Sequence, residues 1–327
     1  YIDTDDKGRK SRKNAGLHIA NRSSKIKNII LQGVRDMNFS FMTVSFPVDL
    51  ETYNEMKVLC EEAHKADGVH YESILNLPHA KNHEASGFFI LVYNDEDDQL
   101  VGLASAIDLM GLNTFEWSIL VSPMYRRIGL GDAIYNVLQE GLEVRGSAGE
   151  LALMMEGVSC GRTFLEKRGY VYSFSEATLE AHAEQVEKRQ DLTIRPFASK
   201  DTEELIEVFC EAFGDMREEA QDLITFNTHT EGLVLWVAVE NDTVVGTVTT
   251  RKEGDAQWIT ALAVHPKYGG QGIGTALLNS VKQLAFDGGE KHVLLDVELD
   301  NNRALVVYEK AGFCKCTQVD YFAFGGK

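Results

Sequence analysis

The chain has 327 residues, of which 44% are hydrophobic and 25% charged, an ordinary composition for a soluble globular protein of two domains. Its formal net charge is −18, and residues 1–36 hold nine Lys or Arg against four Asp, so their net +5 leaves −23 on the remainder. A body this acidic repels phosphate backbones, which argues against nucleic acid as the main partner and mildly favours a cationic acceptor such as an amine.

Membrane and secretion signals are lacking from the sequence. No apolar run approaches the roughly 18 residues that a membrane-spanning helix needs. The N-terminus lacks the apolar core of a secretory signal. We therefore expect a cytoplasmic protein with no membrane partner.

The cysteines and histidines give no metal-binding pattern. The five cysteines are an odd number at scattered spacings, and Cys314 and Cys316 lack the spacing of a usual zinc or redox motif. The histidines of the first half are too irregularly spaced for a metal site. We expect no metal, and five reduced cysteines that pack in the fold. The other three are Cys60, Cys160 and Cys210.

Residues 1–36 differ from the rest because they are basic and rich in Ser, Asn and Gly. We interpret them as a flexible extension before the first domain. The alternative interpretation is a basic arm that binds an anionic partner.

From Thr43 onward, hydrophobic periodicity predicts a strand, a helix, a strand pair, a strand, a helix, a strand and a helix. The strands are Thr43–Phe46, Gly87–Tyr93, Leu100–Leu109, Phe115–Val121 and Leu151–Met155. The helices are Leu50–Lys65, Gly129–Val144 and Cys160–Lys167.

The same order returns in the second half, after a boundary stretch at Glu176–Asp191 that is rich in Glu, Ala, Gln and Lys. The strands are Leu192–Pro196, Leu233–Val239, Thr243–Arg251, Trp258–Val264, His292–Val297 and Gln318–Phe324. The helices are Thr202–Phe213, Gly272–Phe286 and Ala304–Lys310.

This repetition holds in register, because three pairs of segments are each displaced by 143 positions. A period this long predicts duplicated domains. We place the domains at residues 37–185 and 190–327, each an α/β domain with a mostly antiparallel, twisted sheet flanked by helices. The matching segments are Val121–Tyr125 with Val264–Tyr268, Gly129–Gly131 with Gly272–Gly274, and Glu166–Tyr170 with Glu309–Phe313.

A glycine-rich turn between a strand and a helix, Val264–Gly274, is the strongest local feature. Glycines there let backbone N–H groups turn inward, and the helix that follows adds the positive end of its dipole, which suits a pyrophosphate. The spacing is not that of a Rossmann fingerprint, and the Walker lysine is absent.

The turn resembles the cofactor motif of the GNAT superfamily of acyl-CoA-dependent N-acyltransferases, which reads Arg or Gln, two residues, Gly, one residue, then Gly or Ala. The segment Arg126–Gly131 fits completely, and Gly269–Gly274 fits except that Gly269 replaces the first Arg or Gln. The resemblance implies acetyl-CoA as co-substrate. It implies these binding residues in the second domain: Leu262, Ala263, Val264, Gly269, Gly270, Gln271, Gly272, Ile273, Gly274, Thr275 and Asn301. More weakly, it implies Val121, Arg126, Arg127, Gly129 and Gly131 in the first.

The family's second motif is present at Leu295–Val297, Asn301–Ala304 and Tyr308–Phe313. By resemblance, Tyr308 lies near the thioester sulfur as general acid and Asn301 contacts the pantetheine arm. A phenol with a reference pKa near 10 can protonate a departing thiolate.

The first domain lacks both groups, because Leu165 and Val158 stand at the positions of Tyr308 and Asn301. Asp132 stands where the second domain has Thr275, and its charge repels a pyrophosphate. We infer a silent first domain and an active second one, an arrangement similar to that of mycothiol synthase.

The sequence thus predicts an N-acetyltransferase that moves an acetyl group to a primary amine of a small molecule, in a monomer or homodimer. One alternative is a CoA-binding regulatory or scaffold protein without turnover, and another is a protein amine acetyltransferase. Glu116 and Glu298 are minor candidates for a base, and acceptor loops are expected near residues 64–86 and 214–231. We expect His265 at the surface, and three tryptophans in the core: Trp117, Trp236 and Trp258.

Overall fold

A computed structural model describes residues 25–31, 37–187 and 189–326. The chain forms two compact units: unit 1 ends at Ser173 and also takes in the chain from Tyr321, and unit 2 is Phe174–Asp320. Each unit has a mixed sheet flanked by helices, which confirms the predicted fold class.

Unit 1 is built on six strands in spatial order β1-β2-β3-β4-β5-β6, and the end of β13 follows β6. Neighbouring strands from β1 to β5 are antiparallel, whereas β5 and β6 are parallel. The strands are β1 (Lys25–Leu31), β2 (Met37–Ser45), β3 (Ser86–Asn94), β4 (Leu100–Asp108), β5 (Thr114–Val121) and β6 (Gly149–Met155). The helices are α1 (Leu50–Asp67), α2 (Leu130–Val144) and α3 (Ser159–Glu166).

Unit 2 repeats this plan in the order β8-β9-β10-β11-β12-β7. Its sheet is antiparallel except between β11 and β12. The strands are β7 (Tyr170–His182), β8 (Thr193–Pro196), β9 (Leu233–Glu240), β10 (Thr243–Glu253), β11 (Ala256–Val264), β12 (His292–Glu298) and β13 (Cys314–Phe324). Strand β7 belongs to unit 2 from Phe174 onward, and β13 belongs to it as far as Asp320. The helices are α4 (Thr202–Phe213), α5 (Arg217–His229), α6 (Ile273–Gly288) and α7 (Asn302–Lys310).

Helix α6 is the element that positions the site of unit 2. Gly272 precedes its first residue and Gly289 follows its last, and both glycines have the left-handed backbone conformation, with φ of 77°. Its buried residues Leu277, Leu278 and Val281 pack on the apolar face of β12 in one core cluster. Burial of each large apolar side chain in this stripe stabilises the folded state by about 1.5–3 kcal/mol.

Six expectations need correction. Strand β7 extends to His182, inside the predicted boundary stretch Glu176–Asp191, and the chain divides at Ser173 rather than between residues 185 and 190. Helix α5 occupies most of the predicted loop 214–231, because Ala220 and Ile224 find a buried place beside α4. Strand β1 lies within the predicted extension 1–36, and the other residues of that extension lie outside the described chain.

The fourth correction concerns His265, which is 5% exposed rather than at the surface, since its Nδ1 accepts a hydrogen bond of 3.2 Å from the Lys267 N–H. All five cysteines are free, but Cys160, Cys314 and Cys316 are exposed and do not pack in the fold. Trp117 is in the core as expected, while the other two tryptophans are only half-buried.

None of the helices formed by the described residues has both the length and the apolar character of a bilayer span.

Candidate functional site

In unit 2 two parallel neighbours of the sheet separate part-way along their length. The pairing of β11 with β12 runs from Ala256↔His292 to Ile259↔Leu295 and stops there. Strand β11 nevertheless continues to Val264, and β12 to Glu298. The facing backbone groups beyond Ile259 therefore lack ladder partners on that side, which leaves an edge that an extended ligand can join.

A β-bulge at Thr260 accompanies this separation. On the neighbouring β10, Thr249 pairs with Ala261 and Thr250 pairs with Ile259, so Thr260 is the extra residue. A bulge bends its strand and increases the local twist, and it commonly re-aims a strand beside an active site. Here it lies at the position where β11 leaves β12.

The turn after β11 presents backbone N–H groups at the start of α6. Gly270 and Gly272 have φ of 75° and 77°, values that favour glycine. Within the described chain, the N–H groups of residues 270–275 donate to no protein acceptor. Free donors at the positive end of a 16-residue helix form a site for a phosphate group.

Two arginines flank this turn. The Arg189 guanidinium is already engaged, because it donates to the Gln271 carbonyl at 2.7 Å and to both oxygens of Asp191. Arg303, in the first turn of α7, brings a guanidinium nitrogen to 3.3 Å from where a Cβ on Gly269 would lie. No carboxylate of the described residues pairs with Arg303. A free cation thus lies beside the glycine that departs from the family motif.

Helix α7 carries the two residues of the second motif. The Asn301 side chain caps the helix by accepting from the Ala304 N–H at 3.1 Å, which leaves its amide donors available. Tyr308 is 9% exposed and lies in the core cluster beside Phe313. Lys282 of α6 donates a hydrogen bond of 3.0 Å to the carbonyl of Ala311. This bond connects the C-terminal end of α7, which carries Tyr308, to α6.

Burial raises the pKa of the Tyr308 phenol above its usual value. The phenol is therefore protonated across the neutral range, the state that a general acid needs.

On β12, beyond its last pairing with β11, two carboxylates follow at alternate positions. Asp296 accepts a hydrogen bond of 2.7 Å from the Thr178 hydroxyl. Desolvation raises the pKa of Asp296, and the bond from Thr178 opposes that shift. Glu298 is exposed at the end of the same strand. Sequence reasoning singled out Glu298 but not Asp296, although strand alternation places both on one face.

Unit 1 has a similar turn, but its charges are satisfied within the protein. The Arg126 guanidinium donates to both oxygens of Asp67, at 2.8 and 2.7 Å, and to the Val121 carbonyl at 3.0 Å. This pairing lowers the pKa of Asp67. Asp132, in the first turn of α2, pairs with Arg168. The helix start thus holds a carboxylate where unit 2 has Thr275.

The strands of unit 1 also separate, after Trp117↔Ala152, but side chains bridge them. The Ser118 hydroxyl donates to the Leu153 carbonyl at 3.0 Å, and Trp117 Nε1 donates to Glu150 at 2.7 Å. The β4–β5 register of the described residues contains no bulge. Leu165 is buried at the position of Tyr308. In unit 1, therefore, a side-chain hydrogen bond crosses the strands just beyond their last pair, and the phenol is replaced by Leu165.

A family model described as the acetyltransferase (GNAT) family matches residues 51–156 and 202–313. The chain belongs to the GNAT acetyltransferase family. One match falls in each unit, so this is a tandem GNAT protein, and the family resemblance predicted from the motifs is confirmed.

A curated relative is N-alpha-acetyltransferase 30 of Schizosaccharomyces pombe (strain 972 / ATCC 24843), 29% identical over 96 residues, or 28% of this chain. The match covers 64% of that relative, less than two thirds of its length. Among solved structures, a GCN5-related N-acetyltransferase from Sphaerobacter thermophilus has a TM-score of 0.68 at 20% identity, covering 86% of this chain and 95% of that one. A tandem GNAT protein from the clavulanic acid biosynthesis pathway has a TM-score of 0.62 at 15% identity, covering 88% and 99%. At these identities the two structures show the shared fold.

Within the second GNAT domain, the residues singled out from sequence form one contiguous path. Leu262–Val264 lie on the part of β11 that has left β12, Gly269–Thr275 form the turn and helix start, and Asn301 and Tyr308 follow on α7. Three features were missed: the bulge at Thr260, the cation of Arg303 and the carboxyl of Asp296. Glu116, on β5 of the first GNAT domain, does not belong to this path.

Proposed function

We propose that the protein is an N-acetyltransferase that moves an acetyl group from acetyl-CoA to a primary amine of a small molecule, and that the second GNAT domain performs the reaction. One observation carries this proposal. The open strand edge, the unpartnered N–H groups and the protonated Tyr308 are found together in unit 2, whereas unit 1 has a bridged edge, Asp132 and Leu165.

Binding of acetyl-CoA follows from these parts. The pyrophosphate would accept from the N–H groups of residues 270–275, with Arg303 as an added cation. The amides of the pantetheine arm would pair with the free edge of β11 near Leu262–Val264. The thioester would then lie near Tyr308, and holding both reactants together would supply much of the rate increase.

Transfer requires balanced proton movements. The amine, with a reference pKa of about 10.4, must lose a proton before its nitrogen attacks the thioester carbonyl. Asp296 and Glu298 are the carboxylates on β12 that can draw in the cationic amine, and either Asp296 or a water can accept its proton. When the tetrahedral intermediate breaks its carbon–sulfur bond, the departing thiolate takes the Tyr308 proton. The nitrogen gives up its second proton as the amide forms, and that proton returns, directly or through water, to the Tyr308 phenolate.

Acetyl-CoA consumption, followed by release of the free thiol across a panel of small primary amines, tests the proposal. We expect turnover with at least one amine in the wild type and a large loss in Tyr308→Phe. A wild type that binds acetyl-CoA but turns over no amine would support a binding protein without turnover instead.

A second candidate acceptor is the N-terminal amine of a protein, favoured by the match to N-alpha-acetyltransferase 30. The same assay with short peptides bearing free or blocked N-termini separates the two acceptors. Turnover of free peptides at a kcat/KM above that of every small amine would favour this second candidate.

A further inference from the structure

A cluster of two histidines and a glutamate lies on the sheet of unit 2, outside the path described above. His182 and Glu180 are at alternate positions of β7, and His292 opens the neighbouring strand β12. His182 and His292 are directly opposite in the antiparallel register. One ligand atom from each of the three residues lies within 4.8 Å of the other two.

Strand alternation places these side chains away from the packed core. Leu179, Ala181 and Val293, which flank them along the chain, are buried in the core cluster of unit 2. The three polar residues therefore project from the opposite face. Glu180 and His292 keep 32% and 33% of their side-chain surface exposed, so an ion from solvent can reach them.

The cluster has the chemistry of a transition-metal site. His292 Nδ1 lies 2.6 Å from Glu180 Oε1, and the two imidazole rings have centroids 5.9 Å apart. Zinc binds imidazole nitrogen at about 2.0–2.1 Å and carboxylate oxygen at about 2.0–2.2 Å, so small side-chain rotations would bring three ligand atoms around one ion. Imidazole also suits copper and nickel, whereas calcium and magnesium prefer oxygen ligands.

We propose that Glu180, His182 and His292 form a binding site for a divalent transition-metal ion, with zinc as the ion that best fits the donor set. The ion takes the place of the proton shared between His292 Nδ1 and Glu180 Oε1, and a ring nitrogen of His182 supplies the third protein ligand. A fourth position stays open to water. The ion ties β7 to β12 within the sheet of unit 2.

This role is structural and separate from acetyl transfer. The cluster lies at the start of β12, where β11 and β12 are still paired, whereas the strands separate only after Leu295. A metal ion that binds the folded state alone raises the stability of that state by mass action. The strong negative charge of the chain after residue 36 favours the accumulation of cations near it.

Titration of the full chain with zinc chloride, after removal of any histidine tag, tests the site. We expect one saturable zinc ion per chain by calorimetry, and an unfolding midpoint that rises with zinc and returns with a chelator. His182→Ala and His292→Ala should each weaken zinc binding at least about tenfold. His229→Ala, an exposed histidine on α5 in the same unit, serves as the matched control and should bind like the wild type.

Glu180→Gln separates a metal ligand from a hydrogen-bond partner, because the amide oxygen still accepts from the imidazole but carries no charge. We expect this variant to keep its zinc-free unfolding midpoint and to lose most of its zinc affinity. Acetyl-CoA binding, measured in parallel, reports whether each variant is folded. Zinc binding that is absent at about 1 mM, or unchanged in the double variant His182→Ala/His292→Ala, would overturn the proposal.

Discussion

At the scale of single residues, the two GNAT domains differ at a few positions on which the proposed division of roles rests. Tyr308 of the second domain is equivalent to Leu165 of the first, and Thr275 is equivalent to Asp132. These contrasts were visible in the sequence because both motifs are local. The position of Arg303 beside Gly269 was not, since it depends on how α7 packs over the turn.

Tyr308→Phe should lower kcat about a hundredfold or more, because general acid catalysis typically contributes that much. No group of the described chain is hydrogen-bonded to the Tyr308 hydroxyl, so its removal leaves no unsatisfied partner. The unfolding midpoint should therefore stay near that of the wild type. Steady-state kinetics and a thermal melt measure the two effects.

The pH dependence gives a sharper check on the same residue. Because burial raises the pKa of Tyr308 above 10, the phenol is protonated throughout pH 7–9. The ratio of wild-type to Tyr308→Phe kcat should be constant in that range and should fall only when the phenol ionises at higher pH. A ratio that drops to one between pH 7 and 9 would contradict the general-acid role.

Arg303→Ala should raise the KM for acetyl-CoA about tenfold and leave kcat nearly unchanged. A hydrogen bond to a charged group is worth about 1.5–3 kcal/mol, and about 1.4 kcal/mol corresponds to tenfold in affinity. Arg251→Ala, an exposed arginine of β10 paired with Glu253, is the control. Equal KM values for acetyl-CoA in the two variants would contradict a role of Arg303 in binding acetyl-CoA.

At the scale of elements, the bulge at Thr260 explains why the repeats of this GNAT protein are not identical in length. Strand β11 has nine residues and β5 has eight, so the strand starts are displaced by 142 positions and the segments after them by 143. The matching segments of the sequence show only the second value, because they begin at Val121 and Val264. A single inserted residue within an apolar run carries no local signal of a bulge.

Helix α5 and strand β7 show the same limit of local reasoning. The α5 sequence is polar, and its few apolar residues find a buried place only through contact with α4. From Glu176 to His182, strand β7 has a polar residue at every second position, and this composition is also typical of a linker. Only its pairing with β12 identifies the segment as a strand. In contrast, the predicted ends of α2 and α6 lie within two residues of the observed ends, since their apolar stripes and flanking glycines are local features.

The cap of α7 allows the proposed binding role of Asn301 to be separated from its structural role. Asn301→Ser keeps a side-chain acceptor for the Ala304 N–H but loses the amide donors, so the unfolding midpoint should hold while the KM for acetyl-CoA rises. Asn301→Ala should lose the cap as well, at about 1 kcal/mol of stability. If the serine variant has the wild-type KM, Asn301 is a helix cap and nothing more.

At the scale of the whole molecule, the chain carries two GNAT folds, and we propose that only the second holds an acetyl-CoA site. The fold was predictable because three segments recur in register over about fifty residues. The proposed division of roles follows in the sequence from Leu165 and Asp132. The structure adds two supporting observations in unit 1, the Ser118–Leu153 hydrogen bond between the strands and the Asp132–Arg168 pair.

Calorimetric binding of acetyl-CoA to Gly131→Glu and Gly274→Glu tests the central claim most directly. The variants are matched, because a Cβ at Gly131 would lie 3.4 Å from Phe164 and one at Gly274 would lie 3.3 Å from Val307. Glutamate in the first turn favours the helix but repels a phosphate, so both proteins should fold. We predict wild-type binding at one site in Gly131→Glu and at least about a hundredfold weaker binding in Gly274→Glu. Equal losses in both variants, or a loss confined to Gly131→Glu, would contradict the assignment of acetyl transfer to the second GNAT domain.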